Sequence, residues 1–198
     1  MKDKFINNCI KLITKYKHYS KADIAKMRYG LEGIYLAFYK MIILIVLAIL
    51  LGIVKDFFLV IIFFNIIRFT GFGFHAEKSY QCLIISIIEF ILLPLLLLRV
   101  YVPVYFYYII SSLCVLTYLV YAPADTVKRP LPNKKKRMIR KTLTVIIGII
   151  YLLLIIFVPN NTLTVTLLSA LIIEAISVNP ITYKIFKQPY RNYLNYSV

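Results

Sequence analysis

Acidic residues are scarce in this chain: eight Asp and Glu stand against 24 Lys and Arg, for a formal net charge of +16 at pH 7. Cysteine and histidine are scarcer still, at three and two among 198 residues. Cys9, Cys82 and Cys114 are odd in number and widely spaced, so no disulfide framework is implied, and no Cys-x-x-Cys or Cys/His cluster suggests zinc. Neither a metal nor any other cofactor is expected. No short apolar stretch runs into a small-residue cleavage site, so no removable signal peptide is expected. Polar residues as a class are also short. Hydrophobic residues make up 61% of the chain and the mean hydropathy is +0.81, well above the roughly 45–50% apolar content of soluble domains. That excludes an ordinary water-soluble globule and leaves an all-α integral membrane protein, read as a single membrane domain over 1–198.

A membrane-crossing helix needs about 20 mostly apolar residues. Six segments come near that measure: 35–54, 57–69, 83–98, 101–122, 143–158 and 162–178. The first qualifies if Lys40 reaches back to the interface. The second, at about 13 residues, would be only about 20 Å long as a helix, so four spans with two re-entrant pieces is the alternative. Basic residues orient the set. Nine lie in 1–40, eight in the predicted loop 123–142 ("VKRPLPNKKKRMIRK" holds them), three in the tail 179–198 (Lys184, Lys187, Arg191), and Arg68 and Lys78 join them, leaving only Lys55 and Arg99 elsewhere. Six crossings put all the basic pieces on one side, which the positive-inside rule makes cytoplasmic together with both termini. Such a basic face touches anionic headgroups and could also hold an acidic peptide. Nucleic acid is not expected, because no recognised module accompanies the charge.

Residues 1–33 are expected to lie along the cytoplasmic face. Phe5, Cys9, Leu12 and Tyr16 recur at helical spacing, with Ile6, Ile10 and Ile13 widening the stripe and Lys2, Lys4, Lys11, Lys15 and Lys17 flanking it. This is the pattern of an interfacial amphipathic helix. "SKAD", Ser20 to Asp23, fits the capped start of a second helix leading to the first span.

Between two oily segments lies a glycine-rich polar island, "RFTGFGFHAEKSYQC", from Arg68 to Cys82. "GFGFHA" matches a dinucleotide fingerprint in form only, since that fingerprint requires a strand–turn–helix setting. Gly71 and Gly73 instead suit a sharp turn and close backbone approach. A cysteine nucleophile needs a base within hydrogen-bond reach, and His75 is the candidate for Cys82. On one straight helix the two would stand about 10.5 Å apart along the axis, with the imidazole leaning away from the thiol. A direct dyad therefore requires His75 in a loop that folds over the first turn of the helix carrying Cys82. The bland alternative is a packed thiol and a solvated histidine. Glu89 and Glu174, carboxylates within spans, are read as hydrogen-bonding groups, and Arg68 as a residue that holds the loop or meets a substrate carboxylate.

The pattern R-x-x-G-x-G-x-H-A-x₅-C, carried by Arg68, Gly71, Gly73, His75, Ala76 and Cys82, resembles the active-site signature of the accessory gene regulator protein B family, the membrane peptidases of Gram-positive quorum sensing. "RYGLE" before the first span and "YAPADT" before the Lys-rich stretch are similar to that family as well. Phe72 departs from it, standing where many members have the second glycine of a pair. The resemblance implies a multi-pass bacterial membrane protein, a homodimer, and a virulence-associated cysteine endopeptidase with His75 and Cys82 as its catalytic pair. It implies cleavage of the C-terminal part of an autoinducer propeptide through a thioester, with closure of a thiolactone or lactone ring. The propeptide of such a family has an amphipathic leader and an often acidic tail, which Lys134, Lys135, Lys136 and Arg137 suit electrostatically. The competing readings are a small transporter or peptide exporter, favoured by Pro94, Glu89 and Glu174 within spans, and a non-enzymatic adaptor. No duplicated halves or nucleotide-binding motif support the exporter.

Overall fold

The structure, a computed structural model, describes residues 2–15, 19–76, 78–127, 129–158 and 161–196. Tyr16, Lys17 and Lys128, which entered the amphipathic and charge patterns, lie outside them. The protein is an all-α membrane protein. Its elements are α1 (Lys2–Thr14), α2 (Lys21–Leu50), α3 (Val54–Gly71), α4 (Ser79–Ile87), a π-turn (Ile88–Leu92), α5 (Leu93–Arg99), α6 (Val104–Tyr121), α7 (Lys134–Phe157), α8 (Asn161–Val178), α9 (Pro180–Ile185) and a terminal 3₁₀ turn (Asn192–Tyr196). Two isolated bridges are the only β pairing among the described residues. The chain divides into two compact units, one ending at Leu47 and the other beginning at Ala48.

In the first unit, α1 folds back along the start of α2. Lys2 Nζ lies 3.5 Å from Glu32 Oε1, Arg28 Nη2 donates to Asn7 Oδ1 at 2.7 Å, and Phe5 meets the ring of Tyr35. Ile6 and Ile10 are the buried line of α1, whereas Phe5, Leu12 and Ile13 are exposed. The buried stripe is thus narrower than the sequence pattern and displaced to one edge of it. Ser20 caps α2 as expected: its Oγ accepts the Asp23 amide at 3.2 Å and donates to Asp23 Oδ2 at 2.7 Å, satisfying an otherwise orphaned amide. The helix then runs 30 residues without interruption, so the interfacial helix and the first span are one element.

In the second unit, α8 is the axis. In its membrane-length window 67% of residues are buried, against 11–28% in the other long apolar helices, because α3, α5, α6 and α7 all pack on it. Its polar side chains Thr166, Ser169, Glu174 and Ser177 are therefore buried. Tyr118 Oη donates to Leu171 O at 2.5 Å, and Tyr151 Oη donates to Phe63 O at 3.0 Å, tying α6 to α8 and α7 to α3.

Among the described residues five helices are long and apolar enough to cross a membrane: Lys21–Leu50, Ser79–Arg99, Val104–Tyr121, Lys134–Phe157 and Asn161–Val178. The third expected segment is continuous through the π-turn, which widens the helix just before Pro94, a residue with no amide for the regular ladder. Two expectations need correction. The segment 57–69 is longer than expected, since α3 has 18 residues, about 27 Å, and begins three residues earlier, where Asp56 suits a helix N-terminus; it is nevertheless not one of the five helices above. The basic stretch 123–142 is a loop only as far as Asn133, whose side chain accepts the Lys136 amide at 3.0 Å and starts α7. Lys134 to Lys141 are its first two turns.

Candidate functional site

Three connections of the second unit meet at one end of the bundle: the island between α3 and α4, the segment between α6 and α7, and the tail after α8. Arg68, in the last turn of α3, organises the first of them. Its guanidinium donates to Gly73 O at 3.1 Å and to Phe74 O, and Nη1 lies 3.4 Å from Glu174 Oε2 on the central helix. The basic side chain thus holds two loop carbonyls and a fully buried carboxylate. Arg68 takes the loop-holding role, and Glu174 is its structural partner.

The glycines are required by this packing. At Gly71 a Cβ would overlap Glu174 Oε1, with Thr144 Cγ2 at 3.2 Å. At Gly73, φ is +100°, and a Cβ would meet the Arg68 guanidinium and stand 2.8 Å from Ser177 O. Between them Phe72 has φ +60° and ψ −122°, a region that glycine enters freely and a bulky residue rarely. Its ring lies under the Arg140 guanidinium, 4.4 Å away, and Arg140 Nη1 also donates to Phe69 O at 2.8 Å.

The turned backbone is then fixed from both sides. Gly73 N–H donates to Ala124 O at 2.7 Å and Ala124 N–H to Gly71 O at 3.0 Å, while Phe74 N–H donates to Ser177 O at 2.8 Å. Phe74 stacks on Phe186, centroids 4.4 Å apart, with Tyr183 edge-on. Behind Ala124, buried Asp125 accepts the amides of Asn192 at 2.9 Å and Leu131 at 3.3 Å. Tyr183 Oη donates to Asp125 O at 3.1 Å. Burial of Tyr183 raises its pKa, so the donating phenol is held.

His75 follows this clamp and is exposed. Its Nδ1 lies 3.0 Å from Ala76 O. A carbonyl only accepts, so the contact assigns the proton to Nδ1 and leaves Nε2 as the basic nitrogen. Gln188 Nε2, from the tail, donates to His75 O at 3.1 Å. Cys82 is half-buried in the first turn of α4, its amide bonded to Lys78 O at 3.0 Å. Among the described residues no side chain caps α4 at Lys78, and the first amides of a helix have no partner within it. His75 is therefore off the helix that bears Cys82, and the straight-helix arrangement that forbids a direct dyad does not occur.

The sequence of the accessory gene regulator B family matches residues 6–178, most of the chain. The chain belongs to that family. An AgrB-like protein of Clostridium acetobutylicum is 27% identical over 93% of this chain and 88% of its own length. One from Listeria monocytogenes is 28% identical over 86% and 84%, and the accessory gene regulator protein B of Staphylococcus carnosus is 28% identical over 71% and 74%. No solved structure is significantly similar.

For an accessory gene regulator B family member, the rest of the basic end divides in two. Arg137 donates to Leu131 O and Pro132 O at 2.7 and 2.8 Å and stacks on Tyr193 at 3.9 Å. Lys134, Lys135 and Lys136 are exposed. Of these four, the three lysines face solvent, whereas Arg137 is engaged by the protein's own carbonyls and ring. Asp125, Gln188 and Phe74 were not legible as site residues. "YAPADT" carried Asp125 in plain view, but its partners lie in the tail. Among the described residues no group of three His, Cys, Asp or Glu side chains could hold a metal ion.

Proposed function

We propose that this family member is a membrane cysteine endopeptidase that cuts an autoinducer propeptide and promotes closure of the remaining piece into a thiolactone or lactone, with Cys82 as nucleophile and His75 as base. The observation that carries the reading is the break in the helix: α3 ends at Gly71, α4 begins at Ser79, and His75 sits on the connection with Cys82 in the first turn after it. The thiol proton passes to His75 Nε2 and the sulfur attacks the scissile carbonyl carbon. The oxyanion is met by the amides at the start of α4. The C–N bond breaks as the imidazolium returns its proton to the departing amine, leaving a thioester on Cys82. A Cys or Ser side chain within the bound acyl portion then attacks that thioester. Its proton goes to the histidine and then to the Cys82 sulfur, and the ring keeps the activated bond. Exclusion of water protects the intermediate.

The basic end of the bundle supports a cytoplasmic orientation for this site, and exposed Lys134, Lys135 and Lys136 suit the acidic tail of a precursor. The test is cleavage of a candidate precursor by purified protein in lipid. Cys82→Ala and His75→Ala abolish it, whereas Cys9→Ser and Cys114→Ser retain it. Equal cleavage by all four variants removes the dyad and favours a role in transport or recruitment.

A further inference from the structure

Beside the island, a cavity of about 280 Å³ opens between the start of α7 and the tail. Four cationic side chains line it: Lys134, Arg137 and Lys141 from the first two turns of α7, and Arg191 from the tail. The only acid in its wall is Asp125, which is buried and has each carboxylate oxygen taken by a backbone amide, of Asn192 or Leu131. No ion pair joins any of the four cations to an acid among the described residues. They also crowd the positive end of a 24-residue helix, where the backbone dipole disfavours cations. Arg137 is held by the carbonyls of Leu131 and Pro132 and by the ring of Tyr193, and Arg191 lies over Tyr190, but these partners are neutral, so the gathered positive charge of the concave site calls for an anion.

The rim says which anion. Tyr121 and Val120, at the end of α6, and Met138, on α7, belong to the lining too. Val120 and Met138 are largely exposed. The cavity thus lies where two apolar helices end, at the depth of the lipid headgroups, with apolar residues beside its cations. A volume just below the roughly 300–1,000 Å³ of small-molecule sites suits a phosphodiester headgroup whose acyl chains continue along the helices.

We infer that this cavity is a binding site for the phosphodiester headgroup of an anionic phospholipid. The floor of the site, Ala122 to Asp125, includes the residue that pairs with Gly71 and Gly73, so a bound headgroup braces the segment that holds the island. The inference requires no catalytic step and stands or falls apart from the dyad.

The experiment is native mass spectrometry of the full-length protein in mild detergent, titrated with phosphatidylglycerol or phosphatidylcholine. Wild type retains phosphatidylglycerol preferentially. K141Q/R191Q lowers its retention by on the order of fivefold per charge removed; either single variant shows the smaller loss if the pair does not fold. K184Q/K187Q, on the same end but outside the cavity, stays within about twofold of wild type. An equal loss in K184Q/K187Q overturns the site in favour of diffuse surface attraction. Displacement of the lipid by equimolar inorganic phosphate makes it a free-anion site. Displacement by a short Asp/Glu peptide, with the same dependence on Lys141 and Arg191, makes it a peptide site instead.

Discussion

Arg68 and Glu174 are 106 positions apart in the chain and meet 3.4 Å apart beneath the island, and the carboxylate is completely buried. The second oxygen, Oε1, has no hydrogen-bond partner among the described residues, so Arg68 is the polar partner of this buried carboxyl group. Removing one member of such a pair costs about 3–5 kcal/mol, whereas replacing both by apolar groups of similar size is often tolerated. Arg68→Ala is expected to lower expression and thermal stability in detergent. Glu174→Gln keeps the shape and loses less. Arg68→Met/Glu174→Met regains stability without regaining precursor cleavage, because the carbonyls of Gly73 and Phe74 have lost their donor. Cleavage restored in the double variant would show that the pair acts only on folding.

Gly73 is the less replaceable of the two island glycines. Gly73→Ala puts a Cβ on a positive-φ backbone and against a backbone carbonyl that cannot swing away, a strain of about 1–3 kcal/mol. Gly71→Ala meets side-chain atoms of Glu174 and Thr144 and not backbone, at an ordinary negative φ. Precursor cleavage is therefore expected to fall further in Gly73→Ala than in Gly71→Ala, by about tenfold or more relative to wild type, at comparable expression. Phe72→Gly relieves an unfavourable φ but gives up the stack on Arg140, so its melting temperature stays close to that of wild type.

Much of this site is legible in the sequence, and the reason is local. The glycines, the histidine and the following cysteine fall within fifteen consecutive residues, where helix geometry makes a break between His75 and Cys82 the condition for a direct dyad. The apolar segments that become the five membrane-length helices are visible for the same reason. What the sequence conceals is long-range or depends on where the membrane ends. Nothing in "LIIEAIS" reveals that Glu174 lies under Arg68, or in the tail that Gln188 reaches His75. Lys134 to Lys141 look like a loop because charge interrupts the apolar run, although a helix that leaves the membrane stays helical, and only its solvent changes.

Gln188 is expected to position His75 through its carbonyl. One neutral hydrogen bond is worth about 1 kcal/mol net, so Gln188→Ala should lower kcat for precursor cleavage roughly fivefold and leave KM nearly unchanged. A change confined to KM would place Gln188 in substrate binding.

The three exposed lysines at the start of α7 are expected to act at a distance. Wild-type KM for an acidic precursor rises as salt is increased from about 0.05 to 0.5 M, because the attraction is screened. K134Q/K135Q/K136Q has a raised KM at low salt and a flatter salt dependence, so the two proteins converge at high salt. Identical KM values at every ionic strength would remove these lysines from recognition. Arg137→Gln behaves differently and lowers stability, because it releases the carbonyls of Leu131 and Pro132.

The covalent intermediate tests the account most directly. A precursor whose ring-forming Cys or Ser is replaced by Ala can be cut but cannot displace the enzyme, so the acyl group should remain on the protein. Intact-mass and peptide analysis after mixing is expected to show one adduct, on Cys82, removable by hydroxylamine and missing from Cys82→Ala and His75→Ala. Cleavage of that precursor with the Cys82 thiol unmodified throughout would contradict the account.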